Sequence, residues 1–426
     1  MNWEQMHMAQ ADETVYYGVH PTGLPIYVLP KKGFSSTYAV IGTRYGSVDN
    51  AFVVDGEQLC VPAGIAHYLE HKLFENEDGD AFQKYAKTGA SANAYTSFMQ
   101  TAYLFSCTEN FEESLEILLD FVQTPYFTAD GVEKERGIIG QEIRMGEDNA
   151  DRLSLFQLLR CMYVNHPVRE EIAGTVESIA KITPDLLYKC YHTFYNLRNM
   201  ALVVSGNIDT KTVEAVADRV LKEAPPFTLE RTPVEEPFTV AQTRVETSMP
   251  IAAPLFYIGF KEPVAAGYVH TATELVAAEL LLEMLAGSGS PLYTRLMEEG
   301  LINETFDGAY FEGAGYAAFL FSGESQDTDR IAALLVDEIN RLKAEGIDRT
   351  VFEEEKKAFY GRLIAGLNDV ESCGDWLMDD YMYDRKPFSL IDSVAALDVK
   401  SVEDVLHRCL LTDTMVLSIV NTQEEQ

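Results

Sequence analysis

In the segment PAGIAHYLEHKLFE, two histidines, His67 and His71, stand four residues apart, with Glu70 just before the second. On a helix, residues four apart share a face, with side-chain origins about 5–6 Å from one another. Two imidazoles so placed reach a single metal ion, because Zn–N bonds run about 2.0–2.1 Å. Glu70 borders the same face, while Tyr68 and Leu69 point away from it and are expected in the core. The order His-x-x-Glu-His is the reverse of His-Glu-x-x-His, and it supplies two ligands and a general base for hydrolysis. A second segment, EKERGIIGQE, sets Glu135 and Glu142 seven residues apart, two turns along one helical face. With Ile138 and Ile139 packing that helix on a neighbour, Glu142 is expected to be the third ligand. The fourth zinc position then stays open, as it does in catalytic rather than structural sites.

Four stretches accompany the histidine motif: SANAYTSFMQTAYLF (91–105), EKERGIIGQEI (133–143), HPVREEIAGTVESIAKIT (166–183) and FYNLRNMALVVSGNID (194–209). On these residues the chain resembles, over nearly its whole length, the inverted zincins that include pitrilysin, insulin-degrading enzyme and the mitochondrial processing peptidase. The half-length bacterial members are the nearest in size. The resemblance implies one Zn2+ per chain held by His67, His71 and Glu142, with Glu70 as base and Glu135 assisting catalysis close to the metal. It also implies a zinc metalloendopeptidase that hydrolyses unfolded peptides with a zinc-activated water. In that family, two such domains curve toward a similar pair around a peptide chamber, so a homodimer, or a heterodimer with a zinc-less paralogue, is expected. One departure stands out. Active members commonly carry an arginine and a tyrosine in the corresponding stretch of the second domain, and the best register puts Met297 and Asn303 there; Arg295 fits only with a shifted register. The contrasting expectation is a non-catalytic, peptide-holding subunit, which metal content would distinguish. A serine nucleophile lacks its G-x-S-x-G elbow.

The elements that must position these residues alternate between strand and helix. Strands are expected near 25–31, 36–46 and 91–106, and helices over 63–74, 111–122 and 130–146. This pattern predicts an α+β fold with a mainly antiparallel sheet covered by helices on one face. The stretch with Ala92, Asn93, Ala94 and Tyr95 is small and polar, suited to an edge strand that pairs with an extended peptide. The two halves also repeat at an offset of about 215–220 residues: YLFSCTENFEESLEILLDFV answers FLFSGESQDTDRIAALLVDEI, and VEKERGIIGQEI answers FEEEKKAFYGRLI. The repeat predicts a zinc-binding domain over 1–221, an extended proline-rich linker over 222–243 and a second domain over 244–426. In the second copy Arg362 falls opposite Glu142, and AAELLLEMLAGSGSP, without histidine, opposite the metal helix. That copy is expected to bind no metal.

Composition narrows the classes. With 426 residues, 47% hydrophobic and 23% charged, the chain is globular rather than disordered. Its net charge of −34 argues against nucleic acid, whose phosphates it would repel. No run of 18 continuous apolar residues suggests a membrane span, and the polar, acidic start lacks a signal-peptide pattern. Cysteines 60, 107, 161, 190, 373 and 409 lack pairing spacing and are expected as buried free thiols in a reducing cytoplasm. His7, His20, His192, His270 and His407 read as surface or packing residues, and His166, before Pro167, as a turn residue.

Overall fold

The computed structural model describes residues 1–9, 11–54, 56–77, 79–226 and 228–423, so Gln10, Asp55 and Asp78 of the expected first domain, Phe227 of the expected linker and residues 424–426 of the expected second domain lie outside the description. The first unit carries a seven-stranded sheet of β1 (Glu4–Met8), β2 (Glu13–Val19), β3 (Pro25–Pro30), β4 (Thr37–Thr43), β5 (Ser91–Thr96), β6 (Thr101–Cys107) and β7 (Met200–Gly206). Their order is β1-β2-β3-β7-β4-β6-β5, which leaves β5 at an edge. Only the β3–β7 pair is parallel. The second unit carries β8 (Arg244–Met249), β9 (Leu255–Lys261), β10 (Asp307–Gly313), β11 (Tyr316–Glu324) and β12 (Met415–Thr422) in the order β8-β12-β9-β11-β10. This is the order β3-β7-β4-β6-β5 again, with β8–β12 as its parallel pair. The duplication read from the sequence is therefore a duplication of topology.

The expected division into contiguous domains is not what folds. One compact unit comprises Met1–Ile143, Glu171–Thr232 and Ile364–Ser389, and the other comprises Arg144–Glu170, Pro233–Leu363 and Leu390–Gln426. Every residue of β4 and β7 is buried, so both faces of that sheet need cover. The helices of the first half cover one face. The other is covered by α6 (Val370–Met382), from the second half of the sequence. The backbone of Gly374 lies against the Tyr38 ring, where a Cβ would come within 2.4 Å, and the Tyr38 hydroxyl donates to Asp375. The second unit mirrors this arrangement with α3 (Ala150–Met162), from the first half, packed on β9 and β12. Helices thus lie on both faces, not one. The expected linker is also not wholly irregular, since Glu230–Arg231 pairs with Ala51–Val54 and Arg231 Nε meets Asp49 at 2.7 Å.

One segment, Ala272–Glu298, is long and apolar enough to cross a membrane by composition, with mean hydropathy 1.3. Here it forms α4 (Ala272–Ala286) and a separate helix, Pro291–Glu298, and most of it is buried. Five of the six cysteines are buried and unpaired as expected; Cys60 is exposed.

His270 departs furthest from an ordinary packing residue. It is 1% exposed, and its Nε2 lies 3.2 Å from Glu262 Oε1 and its Nδ1 3.2 Å from Glu312 Oε2. Tyr310 and Arg408 Nη1 also donate to Glu262, each at 2.6 Å. Burial alone would lower the His270 pKa, but the hydrogen bonds and charges of the two carboxylates outweigh it and push it up to about 9. A raised folded pKa gives stability that is complete below the unfolded value of about 6.5 and is lost as pH rises through the folded one. The stability of the wild type against denaturant should therefore fall between pH 7 and pH 10 by on the order of 3 kcal/mol, and His270→Gln should flatten that slope. An unchanged slope in the variant would assign the alkaline loss elsewhere.

Candidate active site

α1 (Ile65–Leu73) begins at Gly64, whose φ of 91° lies in the left-handed region that favours glycine. A Cβ there would sit 2.4 Å from the Ala173 carbonyl oxygen, and Ser178 Oγ donates to the Ala63 carbonyl at 2.7 Å. The start of the helix is thus seated in the 166–183 stretch. Ile65, Tyr68, Leu69 and Leu73 are at most 1% exposed, as expected of Tyr68 and Leu69. Each such side chain contributes roughly 1.5–3 kcal/mol by burial, which turns His67, Glu70 and His71 toward α2 (Ala129–Glu147). That helix packs through Val132, Ile139 and Ile143. Ile138, expected to share the packing, is instead 46% exposed, because the buried stripe runs at 132, 139 and 143. The Tyr68 hydroxyl donates to the Val132 carbonyl and joins the two helices.

The imidazoles of His67 and His71 lie 4.6 Å apart between ring centres. His67 Nε2 is 3.4 Å from Glu142 Oε1, and His71 Nε2 is 3.6 Å from Glu142 Oε2. Those separations are long for hydrogen bonds, but they approach the roughly 3.3–3.5 Å between two donors that share a tetrahedral ion at zinc distances. Ligand atoms of His67, His71 and Glu142 all fall within 4.8 Å of one another, the one such group of three among the described residues. The donor set fits zinc: two imidazole nitrogens and a carboxylate, part-exposed so that a fourth position is open.

Glu135, the residue expected to assist close to the metal, accepts a hydrogen bond from His71 Nδ1 at 3.0 Å. That bond keeps the proton on Nδ1 and leaves Nε2 to face the ligand cluster. Burial alone would lower the His71 pKa, but the Glu135 hydrogen bond and the charges of Glu70, Glu135 and Glu142 raise it above its usual value. Burial pulls Glu135 upward, yet the hydrogen bond and charge of His71 hold it below the ordinary carboxylate range. Glu70 is 8% exposed and accepts from Thr96 Oγ1 at 2.8 Å.

β5, with Ala92, Asn93, Ala94 and Tyr95, is the edge strand beside α1, paired only with β6. Ala92 and Ala94 pack on the core, and Asn93 Oδ1 accepts from the Ala94 amide at 2.9 Å. The Tyr95 side chain turns to the opposite face, where its hydroxyl accepts from Gln100 Nε2, which also donates to Asp379. The Tyr95 ring therefore lies away from the face that α1 covers, and the outward backbone amide that the hydrogen bonds show on this strand is that of Ala94. Sequence reasoning missed Thr96 and also Lys72, which is 1% exposed and paired with Glu75. Alternation along β5 was the available signal, since it sets Thr96 on the same face as Ala92 and Ala94.

In the second unit the counterpart of the metal helix is α4, and that of α2 is α5 (Arg349–Gly366). There Arg362 pairs with Glu283 at 2.6 Å, so a cation occupies the place of a ligand. Arg295 is tied to Glu299 at 2.8 Å, and Asn303 donates to Glu324 at 2.9 Å. His166 caps the turn Pro167–Arg169 by accepting from the Val168 amide.

Two family models match the chain: Insulinase (Peptidase family M16) over residues 62–176, and Peptidase M16 inactive domain over 181–359. The chain is 41% identical over 418 residues to the uncharacterized zinc protease YmfH of Bacillus subtilis, covering 96% of each. It is 26% identical over 257 residues to the probable mitochondrial-processing peptidase subunit beta of Arabidopsis thaliana, which covers 57% of this chain and 47% of that protein. Among solved structures, a protein assigned as an M16-like peptidase from Alicyclobacillus acidocaldarius superposes with a TM-score of 0.92 at 34% identity, over 99% of each chain. Pitrilysin shares the fold, with a TM-score of 0.76 at 17% identity, over all of this chain and 47% of its own. This chain belongs to peptidase family M16. It has the family's two-domain α+β fold, and its relatives are named zinc proteases.

Replacing His71 with alanine should abolish stoichiometric zinc binding, read by metal analysis, while leaving the circular dichroism melt close to wild type. Glu135→Gln removes no ligand and should weaken zinc by roughly 10- to 100-fold, as loss of a ligand-orienting partner does.

Proposed function

We propose that this chain is a zinc metalloendopeptidase of unfolded peptides, with His67, His71 and Glu142 as ligands and Glu70 as general base. The observation that carries the reading is the convergence of three ligand atoms from two helices, with a buried carboxylate beside them and an open strand edge next to it. When bound, zinc brings the pKa of a coordinated water toward about 7 and polarises the scissile carbonyl. Glu70 takes the proton of the attacking water and returns it to the leaving amine. Glu135 holds the His71 ring in its ligating tautomer. An extended peptide adds to β5 through its backbone, displacing the Asn93 side chain from the Ala94 amide.

Glu70→Gln keeps the shape of the side chain but cannot accept the proton. It should retain one zinc and bind peptide, and lose turnover by at least about 10²-fold, the lower range for acid–base catalysis. Near-normal cleavage of an unstructured fluorogenic peptide would falsify Glu70 as the base.

The second half lacks the family's arginine–tyrosine pair, and Arg295 is already engaged with Glu299. We therefore propose that a zinc-less paralogue supplies the pair, because a peptide held at one edge still needs its far side placed, and small misplacement can cost roughly 10²-fold. Turnover of a peptide library should be low for the isolated chain and rise on adding such a paralogue from the same source. High activity alone, with no gain from any partner, would point to a self-sufficient homodimer.

A further inference from the structure

Among the described residues, the Glu70 carboxylate has a single hydrogen-bond donor, Thr96 Oγ1 at 2.8 Å. One oxygen is thereby pinned while the other stays available to a proton. Thr96 is the last residue of β5 and lies directly across the ladder from Thr101. Thr101 Oγ1 is 3.4 Å from Thr96 Oγ1 and donates to the Tyr45 carbonyl at 2.8 Å. Below them, the buried hydroxyls of Tyr103 and Tyr195 meet at 2.8 Å. The hydroxyl that reaches Glu70 therefore sits on a strand whose register is set, on a β-branched side chain with few rotamers, above an interior already hydrogen-bonded. The other residues on that face of β5, Ala92 and Ala94, are apolar and pack on the core. A hydroxyl at the third position, with a carboxylate as its acceptor, is the exception on the strand.

We propose that Thr96 is a positioning residue that orients the Glu70 carboxylate for proton transfer, so that the strand receiving the peptide also aims the base. This inference rests on the reading of Glu70 as the general base. The physical argument is one of coupling. Glu70 belongs to α1 and the peptide to β5, and the Thr96–Glu70 hydrogen bond is what joins the reacting group to the strand that sets the height of the scissile bond. A bond to a charged acceptor is also the stronger kind, and it restricts the carboxylate to one rotamer.

Thr96→Val keeps the shape and removes the donor, and Thr96→Ser keeps the donor. On the full zinc-loaded chain with a fluorogenic unstructured peptide, Thr96→Val should lower kcat by roughly 10- to 100-fold, the range of one hydrogen bond to a charged group. KM should move less than about twofold, and zinc content should remain one per chain, because no ligand is touched. Thr96→Ser should recover most of the loss. A readout independent of turnover is a crystal structure of each variant: Glu70 should occupy one rotamer in the wild type and in Thr96→Ser, and several in Thr96→Val. In a Glu70→Gln background Thr96→Val should add no further loss. Should Thr96→Val not fold, Thr96→Ala carries the same comparison. Unchanged kcat and an unmoved Glu70 in Thr96→Val would overturn the inference. So would a fall in kcat that comes with a lowered melting temperature and is not recovered by serine. Active Glu70→Gln enzyme would instead overturn the assignment of the base, whatever Thr96 does.

Discussion

The site depends on the packing of α1 against α2. His67 and His71 come from one helix and Glu142 from another some seventy residues further on, and their ligand atoms must approach within a few ångströms. Four ionisable groups and Glu70 crowd that space, an arrangement that is costly in the absence of a cation. The opposing contribution is apolar. Tyr68, Leu69 and Leu73 on α1 and Val132, Ile139 and Ile143 on α2 are each at most 5% exposed, and Tyr68 also bonds the Val132 carbonyl. Hydrophobic burial is non-directional and holds the helices together. The single buried hydroxyl-to-carbonyl bond between them adds register. The 166–183 stretch closes around Gly64 and Ala63, so the first turn of α1 cannot slide.

The duplication explains why one chain has two units but one site. Each unit has the same five-strand order, and each completes itself with a helix from the other half of the sequence, α6 in one and α3 in the other. A sheet buried on both faces needs two covering layers, and each repeat supplies its local layer while exporting one helix. Neither half of the chain therefore contains all the segments of either compact unit. Within this shared plan the chemistry has diverged by single positions. Where the first copy presents Glu142, the second presents Arg362, satisfied by Glu283. That ion pair sets a cation of α5 against a carboxylate of α4.

The site was largely legible in the sequence because its chemistry is local and periodic. His67, Glu70 and His71 lie within one turn and a half of helix, and Glu135 and Glu142 within two turns, so helical spacing alone fixes which side chains share a face. The edge strand, the histidine-bearing helix and the order of elements in the first half are likewise set by short-range periodicity, and the difference of the second copy by the identity of Arg362 and the missing histidines. Tertiary structure decided what spacing cannot express. It exchanged α3 and α6 between the units, because an amphipathic stripe specifies an apolar face but not which sheet will accept it. It packed α2 through Ile139 rather than Ile138, left Cys60 exposed, and sent the Tyr95 ring to the far face. It also enclosed His270 between Glu262 and Glu312 and brought Thr96 to Glu70 across 26 positions of chain. Those contacts join residues distant in sequence, and a periodic pattern carries no information about which of its neighbours in space will be acid, base or carbonyl.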